Sequence, residues 1–189
     1  MVKYNYFETL KQLSALASDA ISHACGTVAP KGGPAQGSIR KSSDRLVCEL
    51  EDALFSDFLP PLERENLAAC AHSLSRLTDR ALELATHTAL LPSMHRGHEE
   101  GKICIRLASE LGRAIEMLPH IRKPSEMPDI QGFRRLLNEG RAAHAAMLDQ
   151  LHTGILPRSM AQTIIMTGRL RAELSHSFDE LVEIMLNNI

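Results

Sequence analysis

Tryptophan is absent from this 189-residue chain, tyrosine occurs twice and phenylalanine five times, so aromatics amount to only 4%. A core with few large rings, eight methionines and many alanines and leucines suits closely packed helices better than sheets. No apolar run reaches transmembrane length, and the first residues offer Lys3, Tyr4, Asn5 and Glu8 where a secretory signal needs an apolar stretch. A soluble, cytoplasmic protein is therefore expected. Cysteine is scarce and unpatterned: Cys25, Cys48, Cys70 and Cys104 form no pairing motif and read as free thiols on buried helix faces in a reducing compartment. Excess charge is lacking as well. A formal net charge of −2 advertises neither a nucleic-acid nor an anionic-membrane partner. Gly-x-Ser-x-Gly, His-Glu-x-x-His and P-loop motifs are missing, as are the repeated Glu-x-x-His pairs of di-iron bundles, so the chain does not read as an enzyme.

What is present is helical periodicity. Between Ile39 and Phe58, the residues Leu46, Val47, Leu50, Ala53 and Leu54 recur at three- and four-residue steps. Leu67, Ala71, Leu74, Leu77, Ala81, Leu84 and Ala85 do so after a break at Pro60-Pro61. The prolines stop the first run, and Pro61, Glu63 and Glu65 suit the start of the second. This predicts a helical hairpin with a tight, acidic, proline-set corner. A first helix is expected over about Tyr4–Cys25, burying Phe7, Leu10, Leu13, Leu16, Ala17, Ala20 and Ile21. Gly26–Gly37 reads as a connector, since its glycines match neither the P-loop nor the dinucleotide spacing.

The second half repeats this order. The third helix ends near Leu91-Pro92, and His95-Arg-Gly-His98 reads as a solvated polar linker, with Glu99 and Glu100 opening a fourth helix that runs to Leu118. A fifth helix is expected from the N-cap Asp129 to His152, burying Phe133, Leu136, Leu137, Gly140, Met147, Leu148 and Leu151. The sixth takes the remainder after Gly154–Pro157, with Met160, Ile164, Leu174, Phe178, Leu181, Val182 and Met185 inward. His144 reads as a core histidine. The arginines from Arg134 to Arg141, with Arg169 and Arg171, read as a solvated face. The expected fold is all-α, an elongated six-helix bundle over residues 1–189 built from two related three-helix units, about 1–91 and 95–189.

The corner carries a family resemblance. Phe58, Pro60 or Pro61, Glu63, Arg64, Glu65, Asn66 and Leu67, between two helices, resemble the small PhoU-like phosphate-transport regulators that accompany Pit-type phosphate permeases. Tyr6-Phe7-Glu8-Thr9-Leu10 is similar to that family's opening. The resemblance implies a cytoplasmic accessory protein of inorganic phosphate transport, contacting a permease or its regulators and reaching the membrane only through that partner. Pro60, Pro61, Glu63, Arg64, Glu65 and Asn66 would form the contact surface. Self-association is also open to such a bundle, whose Ala- and Met-rich faces permit it.

The same resemblance bears on metal. PhoU-type proteins carry Glu/Asp-x-x-x-Asp pairs, whose carboxylates share one helix face and hold a cation together with a second helix. Here the matching positions are Arg40 and Asp44, Ser75 and Asp79, the stretch Leu136–Arg141, and Thr167 with Arg171, so that only Asp44 and Asp79 remain acidic. An arginine at a former carboxylate position can satisfy an aspartate without metal. This favours an ion-pair network among Arg40, Arg141, Arg171 and the two aspartates. The alternative is a divalent- or trivalent-metal-binding or metal-sensing bundle that uses Asp44, Asp79, Cys48 and His72.

Overall fold

The computed structural model describes residues 4–26, 36–91, 98–121 and 123–189. Among these residues the chain is all-helical, as expected, with six α-helices: α1 (Tyr6–Cys25), α2 (Gln36–Ser56), α3 (Arg64–Thr88), α4 (Glu99–Met117), α5 (Ile130–His152) and α6 (Ala161–Leu186). Single 3-10 turns at Leu118–His120, Pro124–Glu126 and Arg158–Met160 finish α4, fill the next connector and lead into α6.

Local chemistry accounts for the boundaries. Asn5 caps α1 by accepting from the Glu8 amide at 3.2 Å, which starts the helix two residues later than its first apolar residue suggests. Asp129 caps α5 as expected, accepting from the Gly132 amide at 2.8 Å. Helix α2 begins at Gln36, so the last residues of the glycine-rich connector are helical, while residues 27–35 lie outside the described chain. Helix α3 starts at Arg64 rather than at Pro61, with Glu63 as an N-cap whose side chain makes no capping bond to a backbone amide.

Helices α1, α3, α6 and α4 form a closed four-helix arrangement, because α1 packs on α3 and α4 while α6 packs on the same two. Helix α2 covers the α1–α3 side and α5 the α4–α6 side. One continuous hydrophobic core draws on all six helices, including Leu10, Leu50, Leu74, Leu107, Phe133 and Leu174. A small second cluster of Leu91, Met147, Met160 and Ile164 lies at the α5–α6 junction. The Phe133 and Phe178 rings stack between α5 and α6 with centroids 3.7 Å apart and planes 6° from parallel. Between α3 and α6 the seam is partly polar: Ser73 and Ser177 share a buried 2.7 Å hydrogen bond, and Arg76 donates to Glu173 at 2.8 Å.

Most expected stripes are buried, with exceptions at their margins. Phe7, Leu16, Ala53 and Val182 are half-buried, and Leu148 is exposed. Three cysteines are buried and free as expected, but Cys48 is exposed and free, since it lies on the outer face of the peripheral helix α2.

Candidate functional site

The α2–α3 corner is built around Arg64. Its Nε donates to the Leu54 carbonyl at 3.0 Å, and its Nη2 donates to the Asp57 carbonyl. These are carbonyls in and just past the last turn of α2, which have no helical partner of their own and carry the negative end of the helix dipole. Asp57 in turn accepts from the Leu59 amide and from the hydroxyl of Tyr6, both at 3.2 Å, which fastens the corner to α1. Burial and then the Asp57 bond push the Tyr6 phenol up to about 12. Arg64 therefore turns toward the backbone, whereas Glu63 and Glu65 stay in solvent and Asn66 donates to Glu63 at 3.5 Å. Pro60 to Glu65 line one shallow groove whose far side is Asn188, just past α6.

In the stretch of chain that leads into this groove, large apolar side chains are not covered. Phe55 is 91% exposed, Phe58 87% and Leu59 71%, although each could bury ample area in a core. The sequence pattern marked Phe58 only as part of the motif. Phe55 sits one position off the inward stripe set by Leu50 and Leu54, and that register is the signal for its outward direction.

Farther along the same hairpin, the α2–α3 seam holds an ion pair where the family resemblance implies carboxylates. Arg40 reaches Asp79 Oδ1 through Nη2 at 2.6 Å and Nε at 2.8 Å, and Ser43 donates to Ser75 at 3.2 Å. His72 is paired with Glu51 at 3.0 Å, and Asp44 and Cys48 lie exposed on α2. Asp44 and Asp79 both act on Arg40, which pairs with Asp79 alone, while His72 is taken up by Glu51. Among the described residues, no group of three or more His, Cys, Asp or Glu side chains is gathered in a way that could hold a metal.

Arg171 does not join that seam, and it does not lie on a solvated face. It donates from Nε to Glu100 Oε1 at 2.9 Å, while His144 Nδ1 lies 2.8 Å from Glu100 Oε2. Glu100, expected in a polar helix start, is 0% exposed. Three helices meet on this one carboxylate, which a guanidinium and an imidazole satisfy on both oxygens. Two glycines make the approach possible. A Cβ on Gly140 would stand 2.6 Å from Arg171 Cδ, and one on Gly168 would stand 2.6 Å from the His144 ring. Each of α5 and α6 is thus bare where the other's polar side chain crosses. Arg141, by contrast, is exposed and bonds Asn138 at 3.0 Å.

His98, read as part of a solvated linker, is instead the mostly buried N-cap of α4; His95 lies outside the described residues. Its Nδ1 accepts from the Gly101 amide at 3.1 Å and its Nε2 faces the Thr167 hydroxyl at 3.4 Å. Thr167 spends its own proton on the Thr163 carbonyl at 2.9 Å, so the arrangement fits a neutral ring protonated at Nε2. Burial holds the His98 pKa below its ordinary value, with His144 adding to the effect and Glu100 opposing it. The adjacent Cys104 thiol is raised well above the usual range, first by its hydrogen bond with Cys25 and then by burial, which makes it a poor nucleophile.

Comparison of the chain with protein-family models, curated proteins and solved structures finds no match.

Proposed function

We propose that this protein is a non-enzymatic, cytoplasmic accessory protein of inorganic phosphate transport that works by contact with a permease or with its regulators. The phosphate link rests on the resemblance of Phe58–Leu67 and of Tyr6–Leu10 to the small PhoU-like regulators. The mode of action rests on one observation, the exposure of Phe55, Phe58 and Leu59 around an acidic, proline-set corner. Clustered aromatic and aliphatic side chains left in water on a well-packed bundle are the usual material of an interaction surface. Support for a non-enzymatic role comes from the buried ionic cluster, whose polar groups bond one another across α4, α5 and α6. No described helix is long and apolar enough to cross a membrane, so attachment to a permease would be peripheral.

The test is affinity capture from detergent-solubilised membranes of the native organism with the folded protein as bait, read by mass spectrometry. Specific retention of a phosphate permease, or of a regulator of one, is the expected result. Retention of no transport component by intact bait would overturn the assignment.

A further inference from the structure

Charge is distributed unevenly along the chain. Between Cys48 and Asn66 there are six carboxylates and a single guanidinium; Glu49 is paired with Arg45 and Glu51 with His72, which leaves Asp52, Asp57, Glu63 and Glu65 near the corner. That guanidinium, Arg64, lines the groove but spends its Nε and Nη2 on the Leu54 and Asp57 carbonyls, at the negative end of the α2 dipole. Asp52, Glu63 and Glu65 are exposed, on either side of the uncovered Phe55, Phe58 and Leu59. Along this stretch exposed apolar side chains are thus interspersed with exposed, mostly acidic ones, and the two properties together select an occupant.

From this we infer that the corner binds a lysine- and arginine-rich segment bearing apolar side chains, of the kind found in the cytoplasmic loops of membrane proteins. The inference rests on the accessory-protein reading for the source of that segment, but not for its chemistry. A second copy of this chain is a poor occupant. A two-fold contact through the corner would set its carboxylates against the same carboxylates. An anionic lipid surface and a nucleic acid are repelled by the same field. A basic segment gains twice, because the acidic side chains speed its encounter and Phe55, Phe58 and Leu59 slow its departure. The shallow groove lined by Pro60 to Glu65 and Asn188 follows directly in the chain and gives the segment a place to lie.

The test uses the full chain and three labelled peptides of about 16 residues. One contains lysine and leucine, one lysine and serine, and one glutamate and leucine. Anisotropy titrations at low and moderate salt give the affinities. Saturable one-to-one binding is expected for the lysine–leucine peptide, weakening with salt, with each control at least about tenfold weaker. The Phe55→Ser/Phe58→Ser and Glu63→Lys/Glu65→Lys variants change exposed side chains only, so circular dichroism should be preserved while affinity falls about tenfold or more. Equal affinity for the glutamate–leucine peptide, or unchanged affinity in both folded variants, would overturn the inference. So would concentration-dependent dimerisation of the parent that the Phe55→Ser/Phe58→Ser variant abolishes. Capture of a permease equally well by parent and variants would remove the corner and leave the transport role intact. Peptide binding at the corner without capture of any transport component would do the reverse.

Discussion

Glu100 is the side chain on which the meeting of α4, α5 and α6 depends, because a carboxylate with no solvent exposure is tolerable only with its partners in place. Arg171→Met keeps the aliphatic bulk but leaves Glu100 without its guanidinium, and should cost about 3–5 kcal/mol of unfolding free energy. Glu100→Leu in the same background should recover much of that loss, since an apolar pair of similar volume often matches a buried ion pair. Urea titrations of the parent, both single variants and the double variant measure the coupling, and simple additivity would count against a shared network. His98 gives a prediction in pH. Its folded-state pKa lies below the ordinary 6.5, so the unfolded chain takes up the proton first as the solution is acidified. The stability from the neutral ring is complete above about 6.5 and drains away as pH falls from there through the depressed folded value. His98→Asn keeps an N-cap acceptor without a titratable ring. The stability of the parent relative to this variant should therefore decline between about pH 7 and pH 5, as read by thermal melts across that range, whereas a constant offset would show that His98 does not titrate with folding.

At the scale of an element, the α2–α3 corner shows how a short motif can be structural and outward-facing together. Its arginine closes the end of α2 while its acids and phenylalanines remain in water. Arg64→Leu should cost about 1–3 kcal/mol, because two charge-assisted bonds to backbone carbonyls are lost. Amide exchange should rise mainly over residues 54–62 rather than throughout the bundle, and uniform acceleration would show that Arg64 acts on global stability instead. The corner's position could be read directly from Pro60-Pro61 and the flanking stripes, since a helix stop and a 3.6-residue period are local properties. The start of α3 could not, because Arg64 rather than Pro61 begins it while reaching back ten residues to Leu54. The same limit hid the ionic cluster. Glu100 in a first helical turn looks like an ordinary dipole-complementing acid, and its partners lie 44 and 71 residues further on. A trace of it was present all the same, since Arg171 falls on the inward stripe of α6 between Ile164 and Leu174, a poor place for a solvated arginine.

For the molecule as a whole, the question is whether the first three and last three helices behave as one cooperative body. The seams argue that they do. Helix α1 buries Leu10, Leu13, Ala17 and Ala20 while packing on both α3 and α4, so a helix of the first half fills the core of the second. The α3–α6 seam adds the buried Ser73–Ser177 bond and the Arg76–Glu173 pair, which neither half could make alone. An all-helical class was evident from periodicity and from the shortage of aromatics. The joining of the halves was not, because amphipathic stripes say which face is buried and not which helix covers it. Leu13→Ala in α1 and Leu174→Ala in α6 each remove a side chain with no exposure, and each should cost about 2–5 kcal/mol. For a chain of this length that is a fall in melting temperature of about 5–15 °C. If the core is continuous, either substitution should move one and the same transition, with calorimetric and van't Hoff enthalpies still equal. Two resolved transitions, with Leu13→Ala lowering one and Leu174→Ala the other, would mean that the halves unfold separately, and that α1 is held by its own half more firmly than its packing on α4 implies.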